Sequence, residues 1–272
     1  MSEAEAVAGG YQNVRIERHG VGGHVAELVL DRPEALNAVS TGMAVDLAAA
    51  TAALAADDTL RAVVLSSSQA KAFCVGADLK ERNTLTDDQL RAQRPVARAG
   101  YRGVLDLPVP VIAAVEGFAL GGGLEIALSC DLIVAGGTAV VGLPEVSVGV
   151  IPAAGGTQLL TRRVGWSRAA DLIFTARRLD AAEGYRLGVI DRVVEPGKAR
   201  EVALGLAATI AANSPVGVRN AKRAMRLGQG TDLASGLEIE DAGWRATAFS
   251  PDRAEGVRAF AEKRPPVWPG RA

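Results

Sequence analysis

Val115-Glu116-Gly117-Phe118-Ala119-Leu120-Gly121-Gly122-Gly123-Leu124-Glu125-Ile126-Ala127 is the stretch on which the reading of this chain turns. An apolar run, Val111 to Val115, ends in it as a buried strand would; three glycines follow, and a short apolar helix begins at about Gly122. Glycine at a helix start lets another backbone or a ligand come close. The first N–H groups of the helix have no internal acceptor, so such a corner favours negative charge. Read alone, the same glycines also suit a tight turn that lets the helix pack closely. Glu125 stands three residues after Gly122, within the first helical turn and near those N–H groups. Its neighbours Leu124, Ile126, Ala127 and Leu128 are apolar, a setting that perturbs a carboxyl group, although a lone helical glutamate more often faces solvent.

Working outward, Asp131 to Ala135 is a second apolar run, and Arg61 to Ser66 reads as another buried strand. Upstream, Val14 to Arg18 and His24 to Leu30 read as two strands joined by the turn His19-Gly20-Val21-Gly22-Gly23. Ser40 is placed to cap a helix that runs to about Ala56 with Met43, Leu47 and Leu54 on one stripe, and Asp87 to Leu105 reads as a further helix. Strands alternating with helical crossovers predict an α/β core. From Gly155 onward the pattern is mostly helical, with Ser167 and Asp180 as candidate caps and Asn213-Ser214-Pro215 opening another helix. The expected division is a core over residues 1–195 and a helical region over 196–272, with a soft boundary and no internal repeat.

Composition narrows the function. At 272 residues and 49% apolar, the chain can bury one substantial core. Lys plus Arg number 30 against 31 Asp plus Glu, a net charge of -1, which lacks the basic footprint of a nucleic-acid binder. Cys74 and Cys130 lie far apart in apolar stretches, as reduced core thiols do; with no signal-like segment in Met1 to Gly10, a reducing, cytoplasmic setting is expected. Val109 to Ser129, the most apolar region, is broken by Glu116, Glu125 and glycines, so no membrane span is expected. His19 and His24 have no carboxylate or cysteine cluster at ligand spacing in the sequence, and read as surface residues rather than metal ligands. Neither a Lys-Ser/Thr pair after the glycines nor an early Gly-x-Gly-x-x-Gly turn is present, which argues against nucleotide hydrolysis and a dinucleotide cofactor.

Two more segments carry candidate chemistry. Glu145 lies in Val140-Val141-Gly142-Leu143-Pro144-Glu145-Val146-Ser147-Val148-Gly149-Val150-Ile151-Pro152, an acid in an otherwise apolar run. It fits a loop glutamate satisfied by backbone N–H groups as well as it fits a partner for Glu125 in acid/base work. Lys71-Ala72-Phe73-Cys74-Val75-Gly76-Ala77-Asp78-Leu79-Lys80 follows the strand at Arg61 to Ser66. Its glycine lets backbone face a ligand and Ala77 can offer a second N–H, while the plainer reading is a loop leading to the next helix.

Together, and in this order, these segments resemble the enoyl-CoA hydratase/isomerase (crotonase) family. The resemblance rests on Asp31-Arg32-Pro33-Glu34-Ala35-Leu36-Asn37-Ala38, Phe73 to Lys80, Ala119 to Glu125, Pro144-Glu145 with Ile151-Pro152-Ala153-Ala154-Gly155-Gly156-Thr157-Gln158, and Phe260-Ala261-Glu262-Lys263-Arg264-Pro265-Pro266. It covers the chain from about Val14 and implies a spiral of ββα units with a helical C-terminal trimerisation region, assembled as a homotrimer or a dimer of trimers. It implies an acyl-CoA thioester substrate, with coenzyme A part of the substrate and no separate cofactor or metal. By the same resemblance, the N–H groups of Ala77 and Gly122 form an oxyanion hole and Glu125 and Glu145 are the catalytic acids. Ala35, Leu36, Ala77, Asp78, Leu79, Lys80 and Gly122 line the coenzyme A site, with Phe260 and Lys263 reaching its nucleotide end across a subunit boundary.

Both acids are present, which points to hydration of a 2-enoyl-CoA in fatty acid or amino acid breakdown. The alternatives are a 3-enoyl to 2-enoyl isomerase and a noncatalytic acyl-CoA-binding or RNA-binding relative. Cys74-Val75, Leu143 and Ala153-Ala154 depart from the family pattern and bear on pocket shape and acyl specificity.

Overall fold

The computed structural model describes residues 5–7 and 10–270. The chain opens with β1 (Glu5–Val7), β2 (Val14–His19), β3 (Val25–Leu30) and α1 (Thr41–Ala55). Next come β4 (Ala62–Ser67), β5 (Ala72–Cys74), α2 (Leu79–Arg82) and α3 (Asp87–Leu105). Then follow β6 (Val111–Val115), β7 (Phe118–Leu120), α4 (Gly122–Ser129), β8 (Leu132–Gly136) and β9 (Val140–Gly142). A 3-10 turn at Glu145–Val148 leads to α5 (Gly156–Val164), α6 (Trp166–Thr175), β10 (Arg178–Asp180), α7 (Ala181–Leu187) and β11 (Arg192–Val194). Four helices close the chain: α8 (Ala199–Ala211), α9 (Pro215–Gly228), α10 (Leu233–Ala248) and α11 (Pro251–Ala261).

Two sheets organise these elements. The larger has the order β1-β2-β3-β4-β6-β8-β11, antiparallel as far as β3 and parallel beyond it; the smaller has the order β10-β9-β7-β5. Each central strand of the larger sheet passes straight to a short strand of the smaller one and then to helix: β4 to β5 to α2, β6 to β7 to α4, β8 to β9 to the 3-10 turn and α5. That repeated step is the ββα spiral of the crotonase fold.

Side-chain alternation shows why the larger sheet is apolar on both faces. In β6, Val111, Ala113 and Val115 point into the main core with Leu47, Phe73 and Ile126, whereas Ile112 and Ala114 point to the opposite face. There α8 lies across the sheet on Ala199, Ala203, Ala207 and Ala211, a stripe of small residues at four-residue spacing that allows close approach. Among the described residues no single helix is long and apolar enough to cross a membrane. The pair α8 and α9 passes that test only jointly and is bent by 108°.

The helix caps follow from local chemistry. Ser40 Oγ accepts from the Met43 N–H at 3.1 Å, Asp180 from Glu183 at 2.8 Å, and Ser214 from Gly217 at 3.0 Å with Pro215 at the first helical position. Ser167 is not a cap. Gly165, at φ 82°, ends α5 and starts α6 at once, so the helix begins one residue before the serine. His19 also departs from the surface reading: its Nε2 lies 2.8 Å from Oε2 of Glu27, an acid with no exposed surface. Glu17, His19 and Glu27 come within metal-ligand distance of one another, but both Glu27 oxygens take Arg200, at 2.7 and 2.6 Å, and Ser66 adds a bond at 2.6 Å. The cluster is thus an ion-paired anchor between β3 and α8.

Candidate active site

In the smaller sheet β5, β7 and β9 run parallel and adjacent, with Ala72 opposite Phe118 and Leu120 opposite Gly142. Parallel neighbours end on the same edge, so the three loops that follow them emerge side by side. Those loops carry Gly76-Ala77, Gly121-Gly122 and Pro144-Glu145, three segments up to 69 residues apart in the chain. All six residues line one cavity of about 490 Å³, with Glu125 and residues of α3 on its other walls.

The loops after β5 and β7 meet at a distance that glycine permits. Gly76 has φ 95°, and a Cβ on it would lie 2.8 Å from the Leu120 carbonyl oxygen and 3.1 Å from the Gly122 nitrogen. Gly123 is tighter still: a Cβ there would sit 1.9 Å from the Cys74 carbonyl oxygen. This packing leaves two amides facing the cavity. The Val39 N–H donates to Gly76 O at 2.7 Å and the Asp78 N–H to Val39 O at 3.0 Å, and between them the Ala77 N–H has no acceptor among the described residues. Gly122 is the first residue of α4, where a helix leaves its N–H unsatisfied.

The two acids occupy different environments. Glu125 is 3% exposed, and its Oε1 accepts from the Ala154 and Gly156 N–H groups, each at 2.7 Å, where α5 begins. Burial raises its pKa, and the two N–H groups and the charges of Arg94 and Arg82 offset part of the rise. Glu145 starts the 3-10 turn after β9; both its carboxylate oxygens are buried and neither has a hydrogen-bond partner among the described residues. Burial, reinforced by the neighbouring Glu125 charge, pushes Glu145 up to about 7. Its Oε1 lies 3.1 Å from where a Cβ on Gly121 would be, so this carboxyl abuts the backbone that presents the Gly122 amide.

Of the other residues singled out in the sequence, Leu79 lines the cavity. Asp78 instead caps α2 through the Lys80 and Glu81 N–H groups, both at 3.1 Å, and pairs with Arg32 at 2.7 Å. Leu36 holds the loop after β5 from behind, its carbonyl accepting the Val75 N–H at 3.3 Å. Ala35, Leu36, Asp78, Lys80, Phe260 and Lys263 are not among the residues lining this cavity within one chain, and Phe260 is 88% exposed on α11.

Other residues at the site were not singled out by sequence reasoning. Tyr101 lines the cavity from the buried stripe Gln93, Ala97, Tyr101, Val104 of α3, and its hydroxyl lies 2.2 Å from a hypothetical Cβ on Gly122. Burial holds its phenol well above the usual range. Helical periodicity marks that stripe as core, and only the fold brings it to Gly122. Arg82 and Arg94 also line the cavity; Ala153 and Ala154, which the sequence had marked as a departure bearing on pocket shape, line it too.

A spiral α/β fold with two amides and two buried carboxylates around one cavity defines a class of proteins that handle acyl thioesters. The chain belongs to the enoyl-CoA hydratase/isomerase family, whose model matches residues 20–271. A Bacillus subtilis protein with the provisional name enoyl-CoA hydratase/isomerase YngF is 45% identical over 247 residues, 91% of this chain and 95% of that protein. Human mitochondrial methylglutaconyl-CoA hydratase is 41% identical over 250 residues, 90% of this chain and 74% of the relative. The crystal structure of an enoyl-CoA hydratase from Bacillus anthracis superposes with a TM-score of 0.92 at 38% identity, covering 96% of this chain and all of that one.

Proposed function

We propose that this chain is a hydratase that adds water across the 2,3 double bond of a 2-enoyl-CoA. The observation that carries the reading is the pairing of two buried carboxylates, one clamped by backbone N–H groups and one without partners, on a cavity that two free amides also face. In the proposed reaction the thioester oxygen accepts the Ala77 and Gly122 N–H groups. Water attacks C3, and the electron pair of the double bond shifts through C2 onto that oxygen, where the amides stabilise the enolate. Glu125 accepts the proton that water loses, and Glu145, protonated at the start, delivers its proton to C2 as the carbonyl re-forms. Proton return from Glu125 to Glu145 by way of solvent resets the pair. The chemistry calls for no cofactor beyond the coenzyme A of the substrate and for no metal.

The proposal extends to assembly. Trp166, Phe174, Leu233, Trp244, Phe249 and Phe260 are each more than 60% exposed, a large apolar allotment for a free subunit. A homotrimer, or a dimer of trimers, would cover such residues and bring Phe260 and Lys263 of one subunit toward the coenzyme A of the next. Light scattering on the purified chain tests this, and a monomer would refute it.

The function is tested by following absorbance of the conjugated enoyl thioester with crotonyl-CoA and with longer and branched enoyl-CoAs. Wild type is expected to hydrate at least one of them, and Glu125→Ala and Glu145→Ala each to lose about 10²- to 10⁴-fold in kcat. If none is hydrated, the reading fails in favour of isomerisation or acyl-CoA binding alone.

A further inference from the structure

Arg82, the last residue of α2, is half-buried and lines the cavity beside Glu125, yet among the described residues its guanidinium makes no hydrogen bond or ion pair. The nearest acids in sequence are engaged elsewhere. Glu81 accepts the Thr41 N–H at 2.9 Å and Gln93 Nε2 at 3.3 Å, and Asp78 holds Arg32 at 2.7 Å. Arg94, from α3, reaches the same cavity and spends one Nη2 bond on the Ala153 carbonyl at 2.5 Å, leaving the rest of its fork free. Leu90, Ala97, Val150 and Ile151 give the same cavity an apolar part.

Arg82 and Arg94 share this cavity with Glu125 and Tyr101, and their charges offset part of the rise that burial causes in Glu125. Arg178 also enters the cavity, from β10. A half-buried guanidinium is costly to cover further while it has no acceptor, and a neutral acyl chain would cover it without supplying one. A carboxylate on the far end of the acyl chain would supply a planar two-point partner.

We infer that Arg82, seconded by Arg94, selects acyl-CoA thioesters whose acyl chain ends in a carboxylate. This rests on the proposed acyl-CoA reading of the cavity and adds the substrate class and the residue that recognises it. The alternative source of an anion at Arg82 is a phosphate of coenzyme A itself, and the test separates the two.

Binding of glutaryl-CoA, valeryl-CoA and free coenzyme A is measured by calorimetry on the intact protein, wild type and R82Q, with R82K and R178Q for comparison. The first two ligands have the same chain length, differ at the distal group, and are saturated, so the result does not depend on turnover. Wild type is expected to bind glutaryl-CoA about 10- to 100-fold more tightly than valeryl-CoA, the span of one charged hydrogen-bonded pair. R82Q should bring the ratio close to one and R82K should leave it between. Equal affinities in wild type, an unchanged ratio in R82Q, a ratio lost in R178Q alone, or parallel weakening of all three ligands in R82Q would each overturn the inference. Turnover of glutaconyl-CoA against crotonyl-CoA then reports on hydration separately. A glutaryl-CoA preference with no hydration of these or of the longer and branched enoyl-CoAs keeps the assignment of Arg82 and sinks the hydratase; turnover without the preference does the reverse.

Discussion

Glu145→Gln should make the protein more stable at high pH while it removes activity. The carboxyl is lifted from its ordinary 4.5 to about 7, chiefly by burial and further by the Glu125 charge, and neither oxygen has a partner among the described residues. At 1.36 kcal/mol per pKa unit the ceiling on the resulting destabilisation is about 3 kcal/mol, and screening through the open cavity trims it to about 1–2 kcal/mol. The sign follows from proton counts. Between pH 4.5 and about 7 the folded chain keeps a proton that the unfolded chain has released, so stability falls as pH rises through that window. Above it the folded protein bears the full cost of a buried, unpaired carboxylate. A glutamine, neutral at every pH, behaves like the protonated acid. Urea unfolding at fixed protein concentration should therefore find the variant and wild type nearly equal near pH 5 and the variant about 1–2 kcal/mol more stable at pH 8.5. A variant less stable than wild type at pH 8.5, or a gap that does not change with pH, would refute the account of this acid.

On the proposed mechanism, Glu145 must start protonated, so kcat/KM for a 2-enoyl-CoA should fall about tenfold per pH unit above roughly pH 7, a limb that Glu145→Gln lacks. Gly123→Ala forces a Cβ to within 1.9 Å of the Cys74 carbonyl oxygen, a backbone atom that cannot swing aside. Loss of at least about 3 kcal/mol is expected in urea unfolding, at the upper end of overpacking costs. Arg200→Ala strips the buried Glu27 of its two-point partner. About 2 kcal/mol should be lost at pH 7, less than for a fully buried pair because Arg200 is half exposed, and the loss should shrink toward pH 4.5 as Glu27 takes up a proton.

The central strands of the larger sheet, β3, β4, β6 and β8, were legible because they are five or six residues long and largely buried, which writes them into the sequence as apolar runs such as Val111–Val115, whereas its edge strands β1 and β11, three residues each, were not. The smaller sheet was not legible from residue pattern. Ala72–Cys74, Phe118–Leu120 and Val140–Gly142 are three residues each, too short to show a period, and they are strands only because they lie beside one another. That sheet sets the geometry of the site, so the residues alone placed Glu125 and Gly122 in one corner but could not bring Glu145 or Ala77 to it; the family resemblance supplied that grouping. Arg82 and Tyr101 were hidden for a further reason. A cation near a helix end and an aromatic on a core stripe are what any soluble helix displays, and their meaning lies in which cavity they reach.

The contrast between the two glutamates also follows from the spiral. Glu125 sits one turn inside α4, where the next turn of the fold lays the start of α5 across it and donates the Ala154 and Gly156 N–H groups to a single oxygen. The donors favour the charged form and leave Oε2 available, the condition for accepting a proton from water. Glu145 sits in the turn just after β9, with its oxygens enclosed and only its own backbone N–H offsetting the effect of burial. That condition favours the protonated form and suits an acid. Exchanging the proposed roles would put the charge on Glu145, which burial lifts to about 7, and the proton on Glu125, whose two backbone donors and nearby arginines counter part of the rise that burial causes.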